Sequence, residues 1–218
     1  MRKVALIVAG GKGRRMNSSI PKQFLLLNNL PILMHILKKF SHFEKTILVL
    51  PQSQFNYWEE LCNTHKFTQP HTLVEGGETR FQSVKNGLKK IDKNTIVAIH
   101  DGVRPLVSKA LINRLITETK NGTGVIPVIP IKDSIREIEG KTSNAINRDN
   151  LYKVQTPQCF ISVDIQKSYT QEISNYFTDD ASVFESNGGK IKTILGEEKN
   201  LKITTEEDLL VAELFNQE

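Results

Sequence analysis

Only two cysteines occur in 218 residues, Cys62 and Cys159, and neither belongs to a C-x-x-C pair. A disulfide framework and a thiolate zinc site are therefore not expected, and with a chain that opens on a strand-like run the sequence predicts a reduced, cytoplasmic protein. No apolar run approaches the roughly 20 residues of a membrane-spanning helix. Even the stretch 124–131 is short and broken by Pro127 and Pro130, so no membrane partner is expected. Aromatic residues make up 7% and the lysines behind a net charge of +5 are scattered, which argues against a stacking or basic face for nucleic acid. The five histidines show no metal-ligand spacing and read as surface or packing residues. Internal repeats and low-complexity segments are absent. What remains, 39% hydrophobic and 24% charged residues, is the composition of one generous globular domain spanning 1–218.

Against that plain background one segment stands out. Val4-Ala5-Leu6-Ile7-Val8-Ala9 runs directly into Gly10-Gly11-Lys12-Gly13-Arg14-Arg15-Met16, with Pro21-Lys22-Gln23-Phe24 shortly after. Six apolar residues in a row suit a strand buried on both faces of a parallel sheet. Glycines at 10, 11 and 13 allow a sharp turn whose N–H groups face outward, an arrangement that binds phosphate oxygens. Arg15 and Lys22 place two cations where they can neutralise charge that moves during phosphoryl or nucleotidyl transfer. A dinucleotide fingerprint fits poorly because Met16 stands where the third glycine belongs. A P-loop fits worse, since no Lys-Ser or Lys-Thr pair follows Gly13.

Downstream, apolar strands alternate with helical stripes. Ile32, Leu33, Ile36, Leu37 and Phe40 share one helix face after Pro31, and 46–50 reads as the next strand. Trp58 and Leu61 mark a helix, 72–74 a short strand, Phe81, Val84 and Leu88 a helix, and 95–99 a strand. Ser108 caps a helix carrying Leu111, Ile112, Leu115 and Ile116, and 124–131 is again a buried strand. From Lys132 to Arg148 the texture turns half polar around Glu139-Gly140-Lys141, which predicts an exposed β-hairpin. A two-stranded ribbon is marginal by itself, so residues 132–150 read as a dimerisation arm, with an active-site flap as the alternative. The chain returns through 152–156, a helix near 164–171, a strand at 191–195, and a last helix opened by a capping box Thr204-Thr205-Glu206-Glu207. This predicts an α/β domain with a doubly wound, mostly parallel, Rossmann-like sheet and a hairpin insertion.

In such sheets the ligand crevice lies beyond the carboxyl ends of the strands. The residues just past each apolar run form a coherent set: the glycine loop, then Glu75-Gly76-Gly77-Glu78-Thr79-Arg80, then His100-Asp101-Gly102-Val103-Arg104-Pro105. Asp101 suits Mg²⁺, for which one carboxylate is enough when phosphates and water complete the octahedron. A strand-end aspartate capping the next turn is the equal alternative.

Taken together, Ala9-Gly10-Gly11-x-Gly13-x-Arg15-Met16, Pro21-Lys22-Gln23, Gly76-Gly77 before Arg80 and Ser83, His100-Asp101-x-x-Arg104-Pro105, Thr156-Pro157-Gln158 and Asn200-Leu201-Lys202-Ile203-Thr204 resemble the 2-C-methyl-D-erythritol 4-phosphate cytidylyltransferases, in order and over essentially the whole chain. That resemblance implies transfer of CMP from CTP in the non-mevalonate route to isoprenoid precursors, a magnesium ion, and a homodimer with embracing hairpin arms. It makes Arg15 and Lys22 the stabilisers of the transition state at the α-phosphate. Ala9, Gly10, Gly11, Gly13, Gly77, Ser83, Asp101 and Gly102 would hold CTP, with Asp101 also serving the metal and the acceptor. Arg148 and Lys202 would position the acceptor, and Arg104, Ser134 and Thr156 would contact it. Ser134 and Arg148, being on the arm, would serve the partner subunit. Two departures stand out: Ser134 replaces the usual threonine, and Gly102-Val103 the usual pair of alanines. A ribitol 5-phosphate cytidylyltransferase shares the loop, Pro-Lys-Gln and Thr-Pro-Gln, whereas Asn147-Arg148-Asp149-Asn150-Leu151-Tyr152 favours methylerythritol phosphate. The chemistry agrees: a phosphate monoester, with a second pKa of about 6, is already a dianionic nucleophile and needs no protein base.

Overall fold

The computed structural model describes residues 1–10 and 20–216. Strand β1 (Arg2–Val8) is followed by the short pair β2 (Leu26–Leu27) and β3 (Leu30–Pro31), then α1 (Ile32–Lys39), β4 (Lys45–Leu50), α2 (Phe55–Thr64), β5 (Thr72–Glu75), α3 (Arg80–Leu88), β6 (Thr95–Asp101) and α4 (Lys109–Glu118). The second half adds β7 (Thr123–Pro130), β8 (Ile135–Glu139), β9 (Thr142–Ile146), β10 (Tyr152–Val154), β11 (Gln158–Ile161), α5 (Ser162–Ser168), α6 (Asp180–Ser186), β12 (Lys190–Leu195) and α7 (Glu206–Phe215).

The central sheet runs β5-β4-β1-β6-β11-β7-β12, with β10 continuing the line of β11 beside β7. Every neighbour pair is parallel except those made by β10 and β11, which run antiparallel to β7, with β11 also antiparallel to β6. Strand alternation sorts the core into two layers. Ala5, Ile7 and Ala9 pack with α1, Trp58 of α2 and the apolar stripe of α4. Val4, Leu6 and Val8 pack on the opposite face with Phe81, Val84 and Leu88 of α3, Ile165 of α5 and Val183 and Phe184 of α6. A strand buried on both faces has no room for a polar alternate, which is why β1 reads as an unbroken apolar run.

The alternating elements expected from the sequence are present. β11 and α6 were not anticipated. The four residues of β11 are all buried and too few to show a period, and the cap of α6 pairs Asp179 with Ser182, outside the usual Ser/Thr-x-x-Glu pattern. The last helix corrects a boundary: Thr205, not Thr204, is the N-cap, and Asp208 closes the box. Asp208 reaches the N–H of both Thr204 and Thr205, at 2.7 and 2.9 Å. The shorter acid therefore displaces Glu207 from the role that spacing suggested.

The expected hairpin is β8–β9, in register from Ile135↔Ile146 to Glu139↔Thr142, with Gly140 at φ +58° in the two-residue turn. Its strands pair only with each other among the described residues, and Ile138 is 72% exposed. Cys62 and Cys159 are both free, and burial raises both thiol pKa values, that of Cys62 to about 11. No helix among the described residues is long and apolar enough to cross a membrane.

Candidate active site

The chain travels from β1 to β4 and β5 on one side, then returns to place β6 on the other side of β1. The strand order reverses between β1 and β6, and a crevice forms beyond their carboxyl ends. A cleft of about 530 Å³ lies there, lined by Ala9 and Gly10 just past β1, Lys22, the Gly77–Arg80 segment with Ser83, then Asp101 and Lys202.

One wall is the entrance to α3. Thr79 and Gln82 form a reciprocal capping box, Gln82 N–H to Thr79 Oγ1 at 3.1 Å and Thr79 N–H to Gln82 Oε1 at 3.2 Å. Ser83 Oγ accepts from Gly77 N–H at 3.0 Å and donates to the Thr79 carbonyl at 2.9 Å. The hydroxyl thus ties the glycine turn to the first turn of the helix. A Cβ on Gly77 would lie 2.4 Å from Gln82 Cβ, so only glycine lets this turn fold back on its own helix. The opposite wall is the 3₁₀ turn Lys22–Phe24, held by Gln23, whose amide donates to the Ala9 carbonyl at 3.0 Å and to Gln54 Oε1 at 2.8 Å.

The floor is built around Asp101. Arg80 Nε is 3.6 Å from Oδ1, while Arg104 Nε at 3.4 Å and Lys202 Nζ at 3.0 Å address Oδ2. Burial alone would raise the carboxyl pKa, but Arg80, Lys202 and Arg104 outweigh it and hold Asp101 well below the usual carboxylate range. Behind it, Thr156 Oγ1 accepts from Asp101 N–H at 3.0 Å and lies 3.0 Å from His100 Nδ1. His100 Nε2 lies 3.0 Å from the Arg104 carbonyl. The Arg104 carbonyl can only accept, so the neutral imidazole keeps its proton on Nε2 and Nδ1 accepts from the Thr156 hydroxyl. Full burial pushes the His100 pKa down to about 4.

The residues singled out from the sequence fall into four groups. Ala9, Gly10, Lys22, Gly77, Ser83, Asp101 and Lys202 line the cleft. Gly102, Arg104 and Thr156 are buried. Gly102 sits where a Cβ would come within 2.5 Å of Ala9 Cβ, which lets the ends of β6 and β1 close together, and Arg104 also donates to the Asn200 carbonyl at 2.9 Å. Ser134 and Arg148 are exposed at the hairpin, where the Arg148 guanidinium donates to the Lys132 carbonyl; neither lines the cleft of its own chain. Gly11, Gly13 and Arg15 lie outside the described residues. His100 is a buried packing residue, as the sequence suggests, and its hydrogen bonds to Thr156 and Arg104 make it part of the site's support. Sequence reading missed Asp180, which accepts from Arg80, and Tyr169, which donates in turn to Asp180. They lie too far along the chain to announce that contact.

No group of three or more His, Cys, Asp or Glu side chains that could hold a metal ion occurs among the described residues. The cleft does offer Asp101, one ionised carboxylate, which matches the sparse protein ligation of Mg²⁺ when phosphates complete its shell.

The sequence and fold were compared with known proteins. The family model described as IspD, 2-C-methyl-D-erythritol 4-phosphate cytidylyltransferase, matches residues 3–218. A protein of that name from Azobacteroides pseudotrichonymphae is 48% identical over 217 residues, 97% of each chain. One from Bacteroides fragilis is 46% identical over 215 residues, covering 97% of this chain and 98% of its own. The crystal structure of the Francisella tularensis protein of the same name superposes with a TM-score of 0.82 at 30% identity, over 98% of this chain and 99% of that one.

Proposed function

Because this chain belongs to the 2-C-methyl-D-erythritol 4-phosphate cytidylyltransferase family, we propose that it transfers CMP from CTP to 2-C-methyl-D-erythritol 4-phosphate, releasing pyrophosphate. The observation that carries this reading is the cleft at the β1/β6 reversal, where Gly10 and Gly77 join Lys22, Arg80 and Lys202 around the Asp101 carboxylate. A phosphate oxygen of the acceptor attacks the α-phosphorus of CTP, and the bond to the β-phosphate oxygen breaks. The acceptor phosphate is dianionic near neutral pH, so the protein's task is alignment and neutralisation of moving charge.

Lys22 takes the charge that builds at the α-phosphate, with Arg15 as its counterpart. Ala9, Gly10, Gly11 and Gly13 are assigned to the triphosphate, and Gly77 and Ser83 to the cytidine. Lys202, with Arg104 and Thr156 behind it, orients the acceptor. Mg²⁺, bound through Asp101 together with phosphate oxygens and water, would add charge neutralisation. Lys202 is 44% exposed along its side chain, so its ammonium would have room to yield Asp101 Oδ2 to such an ion.

The exposed hairpin completes the site from outside: in a homodimer it would carry Ser134 and Arg148 into the neighbour's acceptor pocket. Support for this comes from the absence of any strand pairing to the rest of its own chain among the described residues and from the exposure of Ile138. Two free thiols suit a reducing cytoplasm. Incubation with CTP, Mg²⁺ and the methylerythritol phosphate should give pyrophosphate and the CDP-polyol in equal amounts. A folded, CTP-binding protein that yields neither contradicts the proposal.

A further inference from the structure

Arg80, the first residue of α3, presents its guanidinium to Asp180, the first residue of α6, a hundred positions away in the chain. The contact is a two-pronged fork, Nη1 to Oδ1 at 2.8 Å and Nη2 to Oδ2 at 2.7 Å. Asp180 is fully buried, and Tyr169 Oη donates a third hydrogen bond to Oδ1 at 2.6 Å. The Tyr169 ring is stacked on Phe81 with centroids 4.7 Å apart. Gln158 of β11 fixes the same corner: its amide donates to Asp179 Oδ2 at 2.8 Å and its carbonyl accepts from Ala181 N–H at 2.8 Å. The anion is thus anchored to the sheet, and a fork–fork pair fixes the plane of the guanidinium as well as its position. Arg80 nonetheless faces the other way too. It lines the cleft, and its Nε lies 3.6 Å from Asp101 Oδ1, while Arg104 and Lys202 approach Oδ2.

We propose that Asp180 and Tyr169, neither of which lines the cleft, are positioning residues that lock Arg80, and that Arg80 in turn sets the orientation of the Asp101 carboxylate for nucleotidyl transfer. This rests on the activity proposed above. A pair serving stability alone would leave the guanidinium spent on Asp180; here it spans from a buried anchor to the carboxylate at the centre of the cleft. Misplacing a reacting or aligning group by about 1 Å can cost on the order of a hundredfold in rate, so the lock acts on turnover rather than on nucleotide affinity.

Tyr169→Phe keeps the stacked ring and removes only the third hydrogen bond, and Arg80→Lys keeps the charge and removes the fork. Turnover, CTP affinity by calorimetry, and melting temperature are measured for both variants and for the double variant. The expected result is a turnover loss of about tenfold for Tyr169→Phe and about a hundredfold for Arg80→Lys, with CTP affinity changed by less than about threefold in each. In the Arg80→Lys background Tyr169→Phe should add no further loss, because it acts through Arg80. Unchanged turnover in Tyr169→Phe, or the same fold loss in both backgrounds, overturns the positioning role while leaving the cytidylyltransferase reading intact. A wild-type protein that binds CTP yet forms no product overturns the activity, and the inference with it.

Discussion

Lys202 Nζ lies 3.0 Å from Asp101 Oδ2, although strands β7 to β12 separate the two residues along the chain. The segment carrying Lys202 is drawn in by Asn200, whose side-chain amide donates to the Thr156 carbonyl at 2.8 Å and whose own carbonyl accepts from Arg104 at 2.9 Å. Lys202 is therefore held at the floor of the cleft by the same residues that shape the turn after β6. Lys202→Met, which keeps the length of the stem, should lower kcat/KM for the acceptor by at least about a hundredfold while changing CTP affinity little. Steady-state kinetics with each substrate varied in turn checks this.

Lys22→Ala should lower turnover at saturating CTP by about a hundredfold or more in a protein that stays folded, because an electrostatic stabiliser of developing charge is lost. Its effect on CTP binding, read by calorimetry, should be much smaller. Near-normal turnover would remove Lys22 from the role assigned to it.

The neutral, buried His100 gives a pH signature. Its pKa is lowered to about 4 in the folded protein from 6.5, so between those values the unfolded chain binds the proton that the native state refuses. Stability is then fully present above about pH 6.5, falls as the pH drops toward about 4, and loses nothing more from this group below that. Asp101 acts in the same direction at lower pH: its depressed pKa contributes stability above the ordinary carboxylate value of 3.8 that is lost on further acidification. Denaturant titrations from pH 7 to 4 should show the decline, with its slope reduced in His100→Asn whatever that variant's stability at pH 7. An unchanged slope would contradict the neutral-histidine assignment.

If the hairpin completes a neighbouring site, inactive Arg148→Ala and inactive Lys22→Ala chains should regain part of the activity when mixed. One site of each mixed dimer would hold both defects and the other neither. Demonstrated subunit exchange with no recovered activity would assign the hairpin to its own chain.

Much of this architecture is legible in the sequence. The strand–glycine junction at Val8–Gly10, the stripe of α1 and the polar hairpin each follow from a local period or turn signal, and local signals survive without knowledge of the fold. The cleft residues at strand ends were equally readable, because a doubly wound sheet gathers them at one edge. What stayed hidden is non-local or short. Arg80 and Asp180 meet across a hundred positions, and neither residue alone distinguishes a clamp from surface charges. Four buried residues of β11 carry no period, so the one antiparallel line between β6 and β7 left no trace. The support that His100 gives stayed hidden because one of its partners, the Thr156 hydroxyl, comes from a distant strand end, and the other, the Arg104 carbonyl, from the turn.

Acceptor choice is the central claim, since the CTP half of the cleft would serve any cytidylyltransferase of this fold. A site that pairs buried polar groups with one polyol rejects another that leaves them unpaired. The decisive measurement is CTP- and Mg²⁺-dependent pyrophosphate release with 2-C-methyl-D-erythritol 4-phosphate and, separately, with ribitol 5-phosphate. The account predicts a specificity constant for the methylerythritol phosphate at least about a hundredfold higher; a preference for ribitol 5-phosphate would contradict it.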